Sequence, residues 1–330
     1  MMVRLNKNIK LILNYVAGPV LLAILFYTVS HQLKQQPGWR NSLIQIKTAF
    51  TGNQQWKLYA MFALMWVNWG LEAAKWQISI LPVQRISFIR AFQAILAGAC
   101  IASFTPNRMG EYLGRMLYLD EGKKIQSVPP AIVCSIAQIL ITLVAGLTGL
   151  LLFIRYPPPH PVRWLTSPYI SLFILLTGLS ALLLTTIYFR FDPLVGLINR
   201  LLKKYVKTIS LPEHFSNPVL FKILLFSLIR YGVFLLQYLL LFSLFELDIS
   251  GIEVFMGVSV MFVVMAIIPS FTLLTDLGLR WEAGIQIFRV FTLNTAGILA
   301  VSLGIWLINL IIPALIGSLL ILRIKLFGSR

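Results

Sequence analysis

The sequence is poor in charged and in metal-binding side chains. Only 12% of its 330 residues are charged, whereas a soluble domain carries about 25%. Its three histidines, His31, His160 and His214, lie far apart, and its two cysteines, Cys100 and Cys134, lie in apolar segments. No spacing resembles a metal site, and there is no P-loop, G-x-S-x-G or dinucleotide fingerprint. We therefore expect no metal, no cofactor, no catalytic residues, no nucleotide-driven transport and two buried thiols rather than a disulfide.

Apolar residues dominate the chain instead. They make up 58% of it, and the mean hydropathy of +0.84 is typical of an integral membrane protein. The sequence predicts an all-α, polytopic transmembrane bundle of about seven or eight spans, with residues 1–330 forming a single membrane domain. The first predicted span follows a basic N-terminus and is interpreted as uncleaved. The predicted spans are 11–29, 56–76, 128–154, 166–189, 219–245, 251–268 and 296–322.

Basic residues outnumber acidic ones, 28 to 11, which gives a formal charge of +17. They are dispersed between apolar runs, so they indicate cytoplasmic loops and contact with anionic lipid headgroups rather than nucleic-acid binding. The basic stretch at 200–207 is assigned to the cytoplasmic side, and the acidic loop at 246–253 to the outside. We therefore predict a multi-pass protein of the cell inner (cytoplasmic) membrane.

Two segments, near 91–118 and 269–292, do not fit a simple span. The orientation scheme places Arg90 and Lys123 on the same side, although a strongly apolar segment separates them. A re-entrant hairpin resolves this, entering through 91–104, turning at Thr105–Pro106 and returning through 107–118. We predict that both segments are re-entrant or broken helices.

The first of these segments contains "FTPNRMGEYLGR", residues 104–115. Thr105 followed by Pro106 is typical of a helix start, where unpaired amides favour an anion. Gly110, with Gly114 one turn later, would allow close contact with another helix.

Charged residues recur in the same stretch at steps of three and four. Arg108, Glu111 and Arg115 should therefore share one face of the returning helix. Ionisable residues inside a membrane are costly and tend to mark substrate paths. The structural alternative is a salt-bridged helix end whose arginines reach the headgroups.

A second cluster lies in "IPSFTLLTDLGLRWEAG", residues 268–284. Asp276 and Arg280 are four apart with the acid first, the favourable order for a helical pair. Glu282 is off that face and is predicted to pair elsewhere, for example with an arginine of the first segment. Two discontinuous segments in corresponding places indicate a transporter site near the membrane midplane.

A third charged stretch, "NWGLEAAKW", ends the second predicted span. Glu72 and Lys75 can pair at a spacing of three. We interpret them as an interfacial pair beside the aromatic belt residue Trp76, supporting the other two clusters.

Together these residues resemble a known family. "TPNRMGE" at 105–111 is similar to a P-x-R-x-G-E signature, and "IPS…LGLRWEA" at 268–283 to a later P-S-x-x-G-x-G-x-x-E signature. The family comprises the transmembrane region of lysylphosphatidylglycerol synthases and related stand-alone flippase-like proteins. The resemblance covers nearly the whole chain, but the second motif has threonine, leucine and aspartate where glycines are common.

The resemblance implies a lipid translocator that moves an anionic or aminoacylated phospholipid, or another lipid-linked phosphate, between leaflets. Arg108 and Arg115 would contact the headgroup phosphate, and Arg280 would complete the cavity. Glu111, Asp276 and Glu282 would pair with arginines or bind an ammonium group.

The expected partners are membrane lipids, with a homo-oligomer or a partner lipid-modifying enzyme left open. Because the synthases' soluble aminoacyl-transfer domain does not occur in this sequence, we do not expect lipid aminoacylation. Two alternatives stay open. One is a membrane-embedded transferase or accessory subunit of a lipid or glycan pathway, with Glu111 as base; the other is a scaffold whose charges only hold helices together.

Overall fold

The computed structural model describes residues 54–105, 108–159, 167–190, 215–268 and 273–322, with single positions at 27, 44 and 196. Within these ranges the chain forms helices and no strand, so the predicted all-α class is confirmed. Both cysteines are buried and free, as expected. The predicted span at 11–29, apart from position 27, and the basic stretch at 200–207 lie outside the described residues.

Ten α-helices follow one another along the described chain, and a π-helical turn, Leu307–Ile311, joins the last two. The helices are α1 Gln55–Ser79, α2 Phe88–Ala102, α3 Gly110–Met116, α4 Val128–Arg155, α5 Tyr169–Phe189, α6 Asn217–Leu244, α7 Gly251–Ile267, α8 Leu273–Phe288, α9 Thr295–Trp306 and α10 Ile312–Leu322. Most predicted spans agree with these bounds to within a few residues.

Four stretches are long and apolar enough to cross a membrane: Ile125–Arg155, Tyr169–Phe189, Asn217–Leu244 and Thr295–Ile321. Helix α1 is also long, but it carries several polar residues, and α7 has 17 residues. The protein is therefore a multi-pass membrane protein, and the exact number of spans stays a prediction.

Helices α2 and α3 form the first hairpin. A Cβ atom at Gly110 would lie 2.6 Å from the carbonyl of Ile101, and one at Gly114 would collide with the backbone of Gly98. These paired positions run in opposite directions along the two helices, so the helices are antiparallel. At the open end Arg90 Nη2 lies 3.7 Å from Asp120 Oδ1. The chain therefore returns to its starting end, as the sequence predicted.

Helices α7 and α8 form the second hairpin. A Cβ atom at Gly257, in the first half of α7, would lie 2.5 Å from the ring of Phe288 at the end of α8, so these helices are also antiparallel. Just beyond α8, Phe291 stacks on Phe153 with ring centroids 5.5 Å apart. The second hairpin therefore opens beside the C-terminal end of α4.

The two hairpins enter the bundle from opposite ends. The first opens near the N-terminal end of α4, because Asp120 precedes that helix and its amide donates to Gln84, which follows α1. At their tips, Phe104 of the first hairpin and Leu277 of the second pack into one apolar cluster with Trp306. This contact places the π-helical turn next to both tips.

Candidate functional site

A cluster of ionised side chains lies inside the bundle, where α1, α3 and α6 meet. It contains residues from "NWGLEAAKW" and from "FTPNRMGEYLGR", two stretches that were predicted to form separate sites. We call it the arginine cluster, and its members are Glu72, Lys75, Arg108, Glu111, Arg115 and Arg230.

Glu72 is the centre of the arginine cluster. Its Oε2 accepts from Lys75 Nζ at 2.7 Å and from Arg230 Nη1 at 2.9 Å, while Oε1 accepts from Arg115 Nη2 at 3.0 Å. The predicted pairing of Glu72 with Lys75 is confirmed, and the pair lies inside the protein rather than on its surface. The two side chains are only 6% and 1% exposed because α1 turns them toward α3 and α6 inside the protein.

Helix α3 contributes the other carboxylate. Glu111 Oε1 lies 2.7 Å from Arg108 Nη2, and Oε2 lies 3.3 Å from Arg115 Nη2. Glu111 and Arg115 share one face of α3 as predicted, whereas Arg108 reaches the same carboxylate from the turn before this helix. The exposed fraction falls from 39% at Arg108 to 24% at Glu111 and 4% at Arg115. The cluster is therefore open on the Arg108 side and closed around Arg115.

The turn before α3 holds Arg108 in an unusual backbone conformation. Its φ is +58°, in the left-handed region that residues other than glycine rarely adopt. Such strain persists only where the surroundings fix it, and it is concentrated at functional sites. Because this φ is incompatible with a continuing helix, α3 starts at Gly110 rather than at Pro106, which lies outside the described residues.

Thr105 still binds a free amide at this turn, since its hydroxyl accepts from the Gly110 N–H at 2.7 Å. The returning helix has only seven residues and its first amide is already bonded. The positive charge of this region therefore comes from side chains and not from a helix terminus.

Arg230 is the member of the arginine cluster that no sequence motif indicated. It lies in the middle of α6, and its guanidinium donates to Glu72, to Asn68 Oδ1 at 2.6 Å and to Gln138 Oε1 at 3.4 Å. Its charge also stacks against Trp69, with the guanidinium carbon 5.8 Å from the ring centre. The available signal was a lone arginine inside a long apolar helix, which by itself indicates a functional site.

A chain of buried amides supports Arg230. Asn68 Nδ2 donates to Asn309 Oδ1 at 3.1 Å, Asn309 Nδ2 donates to Gln237 Oε1 at 3.0 Å, and Gln237 Nε2 donates to the Met61 carbonyl at 3.3 Å. Asn309 belongs to the π-helical turn, a distortion that frequently marks functional sites. These hydrogen bonds fix the orientation of the Asn68 amide. Because Asn68 Oδ1 accepts from Arg230, they also fix the Arg230 guanidinium.

The second charged cluster is smaller. Arg280 Nη2 lies 3.3 Å from Asp276 Oδ2, so the predicted helical pair is confirmed, and Arg280 Nη1 donates to the Tyr238 hydroxyl at 3.4 Å. Both charged side chains are mostly buried. Among the described residues, no ion pair joins this neutral pair to the arginine cluster, so the two motifs form separate polar sites.

Glu282 is not brought to either cluster. It is exposed and accepts a hydrogen bond from Gln286 on its own helix at 2.8 Å. Both side chains line a cavity of about 440 Å³ whose other walls are apolar residues such as Phe173 and Val264. The predicted pairing of Glu282 with an arginine of the first segment is therefore not found.

The arginine cluster carries more positive than negative charge. Its four cations face two carboxylates, which leaves a net charge of +2. In addition, Nε and Nη1 of Arg115 are fully buried and have no hydrogen-bond partner among the described residues. Because buried charged donors are normally satisfied, these two groups are donors that an anionic acceptor could satisfy.

The fold and this site define a multi-pass helical membrane protein with a buried basic centre. The sequence matches the family described as Lysylphosphatidylglycerol synthase TM region over residues 15–317, and the chain belongs to that family. Membership implies a membrane protein of lipid metabolism or transport, and confirms the family that the motifs indicated. No curated protein and no solved structure matches the chain.

Proposed function

We propose that this protein moves a lipid with an anionic headgroup between the leaflets of the cytoplasmic membrane. The observation that carries the proposal is the excess positive charge of the arginine cluster, buried inside a helical membrane protein. The headgroup phosphate would enter at Arg108, the exposed end of the cluster, and would meet Arg115 and Arg230 further inside.

The cost of burying charge supports a role beyond helix packing. A helix association that needed only stability would be served as well by apolar residues of similar volume. An excess of cations adds repulsion, since Arg230 interacts electrostatically with both Arg108 and Arg115 as well as with the carboxylates. A bound anion would relieve that repulsion, whereas the scaffold alternative gives no reason for it.

The opposing hairpins support movement across the membrane. In many transporters, discontinuous helices from two halves meet at a binding site near the bilayer midplane. Here the two hairpins enter from opposite ends, and their tips share one apolar cluster beside the π-helical turn. In this arrangement the first hairpin carries part of the arginine cluster, and its tip meets the tip of the second hairpin, as the discontinuous helices of such a transporter would.

The transferase alternative, with Glu111 as general base, has less support. Both oxygens of Glu111 already accept from arginines, and a carboxylate paired with two cations is a weak base. Asp276 is likewise engaged by Arg280.

The test is a lipid-exchange assay in liposomes with the purified protein. Fluorescent anionic lipid in the inner leaflet is protected from a membrane-impermeant quencher until it crosses. We expect fast crossing with the unmodified protein and a loss of about tenfold or more with Arg108→Gln, because one charge-assisted phosphate contact is worth about 1.5–3 kcal/mol.

The matched control is Arg90→Gln, which removes the same charge from the surface pair with Asp120. It should leave the crossing rate unchanged. The proposal would be rejected if Arg108→Gln and Glu111→Gln both moved lipid as fast as the unmodified protein. It would also be rejected if the unmodified protein moved no lipid.

A further inference from the structure

We infer that the arginine cluster selects a phosphomonoester, a headgroup that ends in a doubly ionised phosphate, over a phosphodiester or an aminoacylated headgroup. The inference rests on the proposed function and narrows its substrate class. It comes from the charge balance of the cluster and from the state of its carboxylates.

Both carboxylates of the arginine cluster are already paired with cations of the protein. Both oxygens of Glu72 and both oxygens of Glu111 accept from cations of the protein, at distances of 2.7–3.3 Å. An aminoacylated headgroup would add positive charge to a site that is already net positive. The earlier expectation that Glu111 binds an ammonium therefore has no support in this geometry.

The rest of the chain offers little to neutralise the arginine cluster. The first 71 residues contain no aspartate or glutamate, and the acidic residues outside the described part are Asp192 and Glu213. The described acidic residues that are not members of the cluster lie elsewhere, and they are Asp120, Glu121, Glu246, Asp248, Glu253, Asp276 and Glu282. Among the described side chains, no acidic residue outside the cluster balances its net charge of +2.

A phosphomonoester fits this requirement best. Near pH 7 it carries about −1.5 to −2 charges and three acceptor oxygens, whereas a phosphodiester carries a single charge and two free oxygens. Arg115 offers two unpartnered buried N–H groups, and Arg108 offers a partly exposed guanidinium at the entrance. The third oxygen of a phosphomonoester could accept from a donor that a phosphodiester leaves unused, and its second charge would balance more of the cluster's positive charge.

The experiment measures equilibrium binding to the full-length protein in lipid nanodiscs. The probes are phosphatidic acid as phosphomonoester, phosphatidylglycerol as phosphodiester, lysyl-phosphatidylglycerol as aminoacylated lipid, and inorganic phosphate. We expect phosphatidic acid to bind about tenfold tighter than phosphatidylglycerol at about pH 8, and this gap to narrow at about pH 5, where the second phosphate proton is bound. This pH comparison uses the unmodified protein and needs no variant to fold.

Two variants assign the preference to the cluster. Arg108→Gln should weaken phosphatidic acid binding more than phosphatidylglycerol binding, so the preference shrinks, while Arg90→Gln should leave both affinities unchanged. Equal, Arg108-dependent binding of phosphatidylglycerol or of the lysyl lipid would overturn this inference and leave the proposed translocation intact. Binding of every lipid independently of Arg108 would contradict both. Inorganic phosphate binding as tightly as phosphatidic acid would assign the site to a free anion and overturn the lipid substrate.

Discussion

Glu72 receives ion pairs from cations on three helices, namely Lys75 on its own helix, Arg115 on α3 and Arg230 on α6. Replacing it by glutamine would leave three buried cations without their shared counter-charge. Removing one partner of a buried ion pair typically costs about 3–5 kcal/mol, so we expect Glu72→Gln to be severely destabilising. The measurement is the midpoint of thermal unfolding of the purified protein in detergent.

The control for this prediction is the same substitution at Glu282. That side chain is exposed and accepts one hydrogen bond within its own helix, so Glu282→Gln should change the stability by no more than about 0.5 kcal/mol. Similar unfolding midpoints for the two variants would show that Glu72 is not the centre of the charge network.

At the scale of single residues, the sequence allowed much of the site to be predicted. The pairing of Glu111 with Arg115 follows from helical spacing and is confirmed, whereas Arg108 joins them from the turn before α3. The partnership of Glu72 with α3 and α6 could not be read from spacing, because its partners lie 43 and 158 positions away. Arg230 shows the same limit, since nothing nearby in sequence indicates which charge it meets.

At the scale of helices, the close approach of α2 and α3 depends on glycine. A Cβ atom at Gly114 would collide with the backbone of Gly98, and backbone atoms cannot move aside as a side-chain end can. We expect Gly114→Ala to push the two helices apart and to cost about 1–3 kcal/mol. Thermal unfolding in detergent measures the loss, and lipid exchange should fall with it because Arg115 is displaced.

Gly232, in the middle of α6, provides the matched comparison. A Cβ atom there would meet no other atom within 4 Å. Because alanine favours a helix over glycine by up to about 1 kcal/mol, Gly232→Ala should be neutral or slightly stabilising. An equal loss of stability in both alanine variants would argue against a tight α2–α3 contact.

The helices also show which local features escape a sequence pattern. The hairpin itself was predictable, because the charges at its two ends had to lie on one side of the membrane. The late start of α3 was not, since it depends on the left-handed backbone of Arg108. The π-helical turn around Asn309 was equally hidden, because it lies inside a continuous apolar run and its amide partners come from other helices.

At the scale of the whole molecule, the sequence predicted two interrupted segments but not how they meet. Hydropathy and the distribution of basic residues predicted the hairpin at 91–118, but they assigned 251–268 to a separate span and did not indicate that α7 and α8 form a second hairpin. The packing of Phe104 and Leu277 into one apolar cluster is a long-range event with no local signal. The separation of the two charged motifs into distinct sites also depends on long-range packing and has no local sequence signal.

Labelling of single cysteines tests the membrane arrangement of this architecture. The background is a protein in which the buried Cys100 and Cys134 are replaced by alanine, and single cysteines come from Arg90→Cys, Asp120→Cys or Asp248→Cys. These three side chains are exposed, and the surface pair of Arg90 with Asp120 contributes little to stability.

We expect a membrane-impermeant maleimide to reach positions 90 and 120 from the same side of sealed vesicles and position 248 only from the other. Positions 90 and 120 lie together at the open end of the first hairpin, whereas position 248 follows α6, whose C-terminal part contacts the start of α1 through Lys57 and Ser243. Labelling of 90 and 120 from opposite sides would mean that residues 91–118 cross the membrane completely. The arginine cluster would then be part of an ordinary span, and access through a re-entrant tip would be ruled out.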